Sequence, residues 1–131
     1  MTGAILIGSS ERELKDSLGE YISGVFGKRV LGVDDTADLL LQVIDKDLDL
    51  AIIDTNLKGL PVAKTVQIIK NCRPHVPVII ISEDYSVSTG SQIMEQGVFY
   101  YMYKPVDMEN FREIVDSALR KRAKEEAQER R

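Results

Sequence analysis

The chain is poor in the residues that most often do chemistry alone. It has one cysteine, Cys72, one histidine, His75, and no tryptophan. A single cysteine excludes an internal disulfide and points to a reducing compartment, so the expected location is cytoplasmic. Cys72 itself reads as a small hydrophobe rather than a reactive thiol. His75 lies in Arg73-Pro74-His75-Val76-Pro77. With no second histidine it reads as a structural or solvent-exposed loop residue, not a metal ligand, and triads built on any other histidine are excluded. Basic residues are outnumbered, 17 Lys and Arg against 21 Asp and Glu, for a formal net charge of -4. A basic face for nucleic acid is therefore not expected, and protein or small-ion partners are favoured. No apolar run approaches the roughly 20 residues of a membrane span. The opening Ala4-Ile5-Leu6-Ile7 is too short, and lacks the basic leader, to read as a signal peptide. No membrane partner is expected.

What is present is an alternation of short apolar runs and helical patterns. Across 131 residues, 44% hydrophobic, there is enough chain for one domain with a real core. Ala4 to Ile7, Arg29 to Val33, Leu48 to Ile53, Val78 to Ile81 and Tyr100 to Tyr103 read as strands. The fourth is the most hydrophobic and is expected to be central. Between them, Leu14, Leu18, Tyr21, Ile22, Val25 and Phe26 make one helical stripe, with Ser9 or Ser10 as cap and Gly27 as terminator. Leu39, Leu40, Val43 and Ile44 follow cap candidates Asp34, Asp35 and Thr36. Val62, Val66 and Ile69 follow Pro61, which suits a first helical turn. The polar stretch Glu83 to Gln96 reads as a weak helix, because Gly90 and Ser91 lower its propensity. The last helix starts near Asp107 and carries Phe111, Ile114, Val115, Ala118 and Leu119. Five strands alternating with five helices predict an α/β fold, a single doubly wound parallel sheet with right-handed crossovers. Residues 1–122 read as the domain, and 123–131 as a charged helical extension or tail.

In an open parallel sheet, function collects at the carboxyl ends of the strands. Here the first strand ends in Gly8-Ser9-Ser10-Glu11, the third in Asp54, the fourth in Ser82 and the fifth in Lys104-Pro105. Each residue alone is ordinary. Together they bring a carboxylate, a hydroxyl and an ammonium to one rim, which suits an acyl-phosphate switch. Asp54 would be the nucleophile, and Lys104 and Ser82 would contact phosphoryl oxygens.

The pieces that carry this reading resemble a response-regulator receiver domain of two-component signalling, over Ala4 to about Arg120. They are Leu50-Ala51-Ile52-Ile53-Asp54, Pro77-Val78-Ile79-Ile80-Ile81-Ser82, and Gly97-Val98-Phe99-Tyr100-Tyr101-Met102-Tyr103-Lys104-Pro105. The resemblance implies the flavodoxin-like strand order 2-1-3-4-5 and phosphorylation at Asp54 within a phosphorelay. It also implies switch roles for Ser82 and Tyr101, the latter rotating between exposed and buried states. The implied partner is a sensor histidine kinase or other signalling protein. An output domain or second copy would be read through the fourth helix, fifth strand and fifth helix. No enzymatic activity is implied.

The chain also departs from that family. Ser9 and Ser10 stand where the family places the acidic pair that holds Mg²⁺. That leaves Asp54 and the carbonyl of Asn56 as ligands, with Glu11 able to substitute only if the loop slips by a residue. Mg²⁺ binding is therefore expected to be weak, and metal-assisted phosphoryl transfer weakened or absent with it. Glu83 follows the switch hydroxyl where a small residue is usual, and Lys58 and Val62 replace the usual Pro and Gly after Asp54. Without the acidic pair, Asp54 and Lys104 are free to pair directly. Two alternatives stay open: a phosphate-independent pseudo-receiver acting as an interaction module, and a flavodoxin-like small-ligand binder using Gly8-Ser9-Ser10 at a helix start. A hydrolase would need an acid or base, and only Glu83 and Glu11 are near enough in sequence pattern to serve.

Overall fold

Every residue from Leu48 to Asp54 is buried, and that run forms the middle strand of the sheet. A strand covered on both faces needs apolar side chains pointing both ways, which Leu-Asp-Leu-Ala-Ile-Ile-Asp supplies except at its two aspartates. The computed structural model describes residues 3–129; residues 1–2 and 130–131, which belong to the two expected segments 1–122 and 123–131, lie outside the described residues. The element order is β1 (Ala4–Gly8), α1 (Arg12–Phe26), β2 (Val30–Val33), α2 (Thr36–Asp45), β3 (Leu48–Asp54), α3 (Val62–Cys72), β4 (Val78–Ser82), α4 (Val87–Met94), β5 (Tyr100–Tyr103) and α5 (Met108–Glu129). The strands pair in parallel in the order β2-β1-β3-β4-β5. The expected fold is the observed one.

Period-two alternation splits the core into two layers. Ala4, Leu6, Ala51, Ile53, Val78 and Ile80 meet Leu39 and Val43 of α2, Val66 and Ile69 of α3, and Ile93 of α4. Ile5, Ile7, Leu50, Ile52, Ile79 and Ile81 meet Leu18 and Ile22 of α1 and Phe111, Val115, Ala118 and Leu119 of α5. The alternation breaks at one place. Ala4 pairs with Leu48 and Ile5 with Leu50, so Asp49 has no partner in β1 and sits in a bulge.

Several expectations need correction. β4 is interior as expected, flanked by β3 and β5, but the middle position belongs to β3, as the order 2-1-3-4-5 requires. β2 begins at Val30 rather than Arg29. Neither Ser9 nor Ser10 caps α1. The N-cap is Glu11, and its side chain makes no capping hydrogen bond. Pro61 is likewise the N-cap of α3 rather than its first helical residue. Ile44 and Val25, assigned to apolar stripes, are 61% and 45% exposed, so these stripes are narrower than the spacing suggested. Cys72 is exposed and does not serve as a core hydrophobe. His75 is a loop residue as expected, with its Nδ1 3.5 Å from Glu125 of α5.

Other features hold as read. Asp35 caps α2, its side chain accepting from the Asp38 N–H at 2.8 Å. Gly27 ends α1 in the left-handed conformation, φ 63°. The loop after β3 is pinned to α2. Thr36 N–H donates to the Lys58 carbonyl at 2.9 Å, and Leu60 N–H donates to the Thr36 hydroxyl at 3.0 Å. This approach requires Gly59: its φ is 116°, and a Cβ there would lie 2.1 Å from Thr36 Oγ1. The pinned loop sets where Thr55 and Asn56 stand beside Asp54.

Candidate functional site

Asp54 is the last residue of β3 and is 2% exposed. A buried carboxylate must find partners or give up its charge. Asp54 finds three. Its Oδ2 accepts from the Ser9 hydroxyl at 2.8 Å and from the Lys104 ammonium at 2.8 Å. Its Oδ1 accepts from the Asn56 backbone N–H at 3.2 Å. Ser9 reaches it from the end of β1, and Lys104 from the end of β5, 50 residues along the chain. The Lys104-Pro105 bond is cis.

Lys104 is shared. Besides Asp54 it donates to Glu11 Oε1 at 3.0 Å, and Glu83 Oε1 lies 3.8 Å away. Burial works against its charge, but hydrogen bonds to Asp54 and Glu11 and the negative charge of both outweigh it. The ammonium holds its proton above the ordinary lysine value of 10.5. Asn56 completes the ring: its Nδ2 donates to Glu11 Oε1 at 3.1 Å, and its Oδ1 accepts from Ser10 N–H at 3.2 Å.

The structure thus joins Asp54, Lys104, Ser9, Asn56 and the backbone of Ser10 in one network. The direct Asp54–Lys104 pair is present as anticipated. Glu11 adds contacts that the reading did not include. It reaches the site from the N-cap of α1 with no slip of the loop, and it contacts Lys104 rather than standing in for the acidic pair beside Asp54. A glutamate at an N-cap whose side chain does not cap its own helix has only a tertiary use for its carboxylate, which sequence pattern does not reveal.

Ser82 lies at the same rim but is turned elsewhere. Its hydroxyl donates to the Asp84 carbonyl at 3.2 Å, and accepts from Asp84 N–H at 2.9 Å and from Thr55 Oγ1 at 3.2 Å. Tyr101 is partly buried against the α2–α3–α4 layer, and its hydroxyl has no hydrogen-bond partner among the described residues. Glu83 is 62% exposed along its side chain and faces Lys104 at the rim. A cleft of about 410 Å³ opens beside the network, between Thr55, Asn56 and Pro61 on one side and Glu83, Asp84 and Gln92 on the other.

Mg²⁺ wants near-octahedral oxygen ligands, with carboxylates among them. The donor set at this rim does not fit that demand. Asp54 Oδ2 already takes two hydrogen bonds, the Ser9 hydroxyl gives its proton away, and Asn56 Oδ1 takes the Ser10 N–H, so the expected pair, Asp54 and the Asn56 backbone carbonyl, would bring a cation only one carboxylate. The ammonium of Lys104 stands against the one buried carboxylate of the rim. Among the described residues no group of three or more His, Cys, Asp or Glu could hold a metal ion, and no helix is long and apolar enough to cross a membrane.

Fold and rim together define a class: doubly wound parallel α/β domains with a buried, lysine-paired carboxylate at the carboxyl end of the middle strand. The chain belongs to the response regulator receiver domain family, whose model matches residues 5–116. Among curated proteins it is 30% identical over 82 residues to the transcriptional regulatory protein ZraR of Salmonella typhimurium, covering 63% of this chain and 19% of that protein. It is 28% identical over 117 residues to the DNA-binding transcriptional regulator NtrC of a Bradyrhizobium species, covering 89% and 24%. The chain thus spans about a fifth to a quarter of the length of these relatives. Among solved structures, the receiver domain protein (CheY-like) of Methanospirillum hungatei superposes with a TM-score of 0.87 at 21% identity, covering 95% of this chain and 99% of that one. NtrX of Brucella abortus superposes at 0.85 with 23% identity, covering 100% and 30%. These likenesses carry the fold.

Proposed function

We propose that this chain is an atypical receiver module, cytoplasmic, that regulates a partner or output domain through the state of Asp54, with weakened Mg²⁺-dependent phosphorylation. The observation that carries the reading is the 2.8 Å pair between Lys104 Nζ and Asp54 Oδ2, formed where Ser9 and Ser10 supply no charge. A phosphoryl donor, from a sensor histidine kinase or a small acyl phosphate, would be attacked by an Asp54 oxygen, and the donor's leaving group would depart with the bonding pair. Lys104 would then move from the carboxylate to a phosphoryl oxygen. Ser82 would have to leave Asp84 and Thr55 to reach the same group, which couples the acceptor to the loop before α4.

That coupling suits an output surface on α4, β5 and α5, facing a signalling partner, an output domain or a second copy. Tyr85 and Tyr103 stack there at 4.7 Å, and Val87, Met94 and Tyr103 are 83%, 49% and 44% exposed. A patch of that make-up suits protein docking better than solvent. NtrC and ZraR are named as transcriptional regulators, and a role in controlling transcription is for this chain a matter of what it is attached to or binds.

The same ion pair favours a second reading, a phosphate-independent interaction module, since it fixes the site without any phosphoryl group. Incubation with acetyl phosphate and Mg²⁺ separates the two. A mass gain of one phosphoryl group that is lost in Asp54→Asn supports the switch. No gain at any Mg²⁺ concentration leaves the second reading.

A further inference from the structure

Glu11 is used in an unusual way. An N-cap side chain ordinarily accepts from the free N–H groups of its own helix. Glu11 has the extended backbone of an N-cap, φ -91° and ψ 107°, but makes no such bond. Its Oε1 takes the Lys104 ammonium at 3.0 Å and the Asn56 amide at 3.1 Å instead. Asn56 is itself oriented by Ser10 N–H, and Glu11 N–H donates to the Ser9 hydroxyl at 3.0 Å, so backbone and side chain of Glu11 are both tied to the rim. The Glu11 side chain is 44% exposed, whereas Lys104 is only 14% exposed and lies between the two carboxylates. A flexible lysine held by one acid can swing away; one held from two sides cannot do so without breaking both contacts.

We propose that Glu11 is a positioning residue that clamps the Lys104 ammonium against Asp54, so that Lys104 takes the place beside Asp54 that a divalent cation would otherwise take. The proposal rests on Asp54 being the working carboxylate of the domain, but not on its being phosphorylated. Its content is a competition: with the clamp closed, a cation must displace an ammonium held by two carboxylates, and with Lys104 removed, Asp54 and Glu11 are left facing one vacated position with like charges.

The test uses Mn²⁺ alone, with no phosphoryl donor, and follows paramagnetic broadening of the Thr55 and Asn56 amide signals in the 131-residue chain. Lys104→Gln is expected to bind Mn²⁺ about tenfold more tightly than the parent, and adding Glu11→Gln is expected to abolish most of that gain. Removing any positive charge raises cation affinity somewhat, so the double variant decides. An equal gain with and without Glu11, or no gain at all, overturns the proposal. The amide spectra confirm folding of each variant. A chain that never accepts a phosphoryl group would still give the expected results, so the two readings fail separately.

Discussion

One strand carries two buried aspartates, and their surroundings differ. Asp49 and Asp54 stand near opposite ends of β3, 0% and 2% exposed, and each pairs with a lysine whose side chain is nearly covered, 11% exposed for Lys28 and 14% for Lys104. At the amino end, Asp49 sits in a bulge against Gly3, with Lys28 on one oxygen and no partner on the other among the described residues. At the carboxyl end, Asp54 is bonded on both oxygens, and its lysine is shared with Glu11 and faces Glu83. The first pair is closed, with no second acid to which Lys28 is seen to turn. The second has alternatives built around it, so charge there can be redistributed without leaving any group unpaired. A pair of the first kind fixes a fold, and a pair of the second kind can serve a switch.

Breaking the closed pair should cost most. Lys28→Met leaves a fully buried carboxylate alone and is expected to lower stability by about 3–5 kcal/mol, read from the urea midpoint. Replacing both partners, Lys28→Met with Asp49→Leu, should recover most of that loss. Breaking the open pair should cost less. In Lys104→Gln, Asp54 keeps its bonds from Ser9 and Asn56, and the expected loss is about 1–2 kcal/mol at neutral pH. The same variant has a pH signature. Because folding raises the Lys104 midpoint, its contribution is complete below 10.5 and is lost as pH climbs through the folded midpoint. The parent should therefore lose more stability than Lys104→Gln across that alkaline range. Smallest of all is Glu11→Gln, under about 1 kcal/mol because the side chain is half in water. A loss from Glu11→Gln as large as from Lys28→Met would erase the distinction between the two ends.

The fold was largely legible because its signals are local: apolar runs of strand length, each followed by a helical stripe. What was not legible depended on partners distant in the chain. That β3 rather than the more hydrophobic β4 takes the middle place followed from the family's strand order, since hydrophobicity does not encode topology. The buried Asp49 was hidden inside a run read as apolar, since nothing in Leu48-Asp49-Leu50 says that Lys28 will cover it. At the rim, Asp54 and Lys104 were readable from their positions at strand ends, and so was their pairing. Ser82 was placed at the right rim, but the bonds that hold it to Asp84 and Thr55 come from the conformations of two loops, after β4 and after β3. Glu11 was weighed only as a conditional stand-in for the acidic pair or as an acid or base, and only the approach of Lys104 across 93 residues gives its carboxylate the use it has.

We propose that the neutral hydroxyls at positions 9 and 10 leave Asp54 paired to Lys104 and poorly served by Mg²⁺. The most direct measurement is the rate of acetyl phosphate labelling at Asp54 as Mg²⁺ is raised, in the parent and in Ser9→Asp with Ser10→Asp. Slow labelling in the parent, demanding far more Mg²⁺ than the doubly substituted chain, is the predicted result. Equal rates with the same Mg²⁺ requirement in both proteins would contradict it.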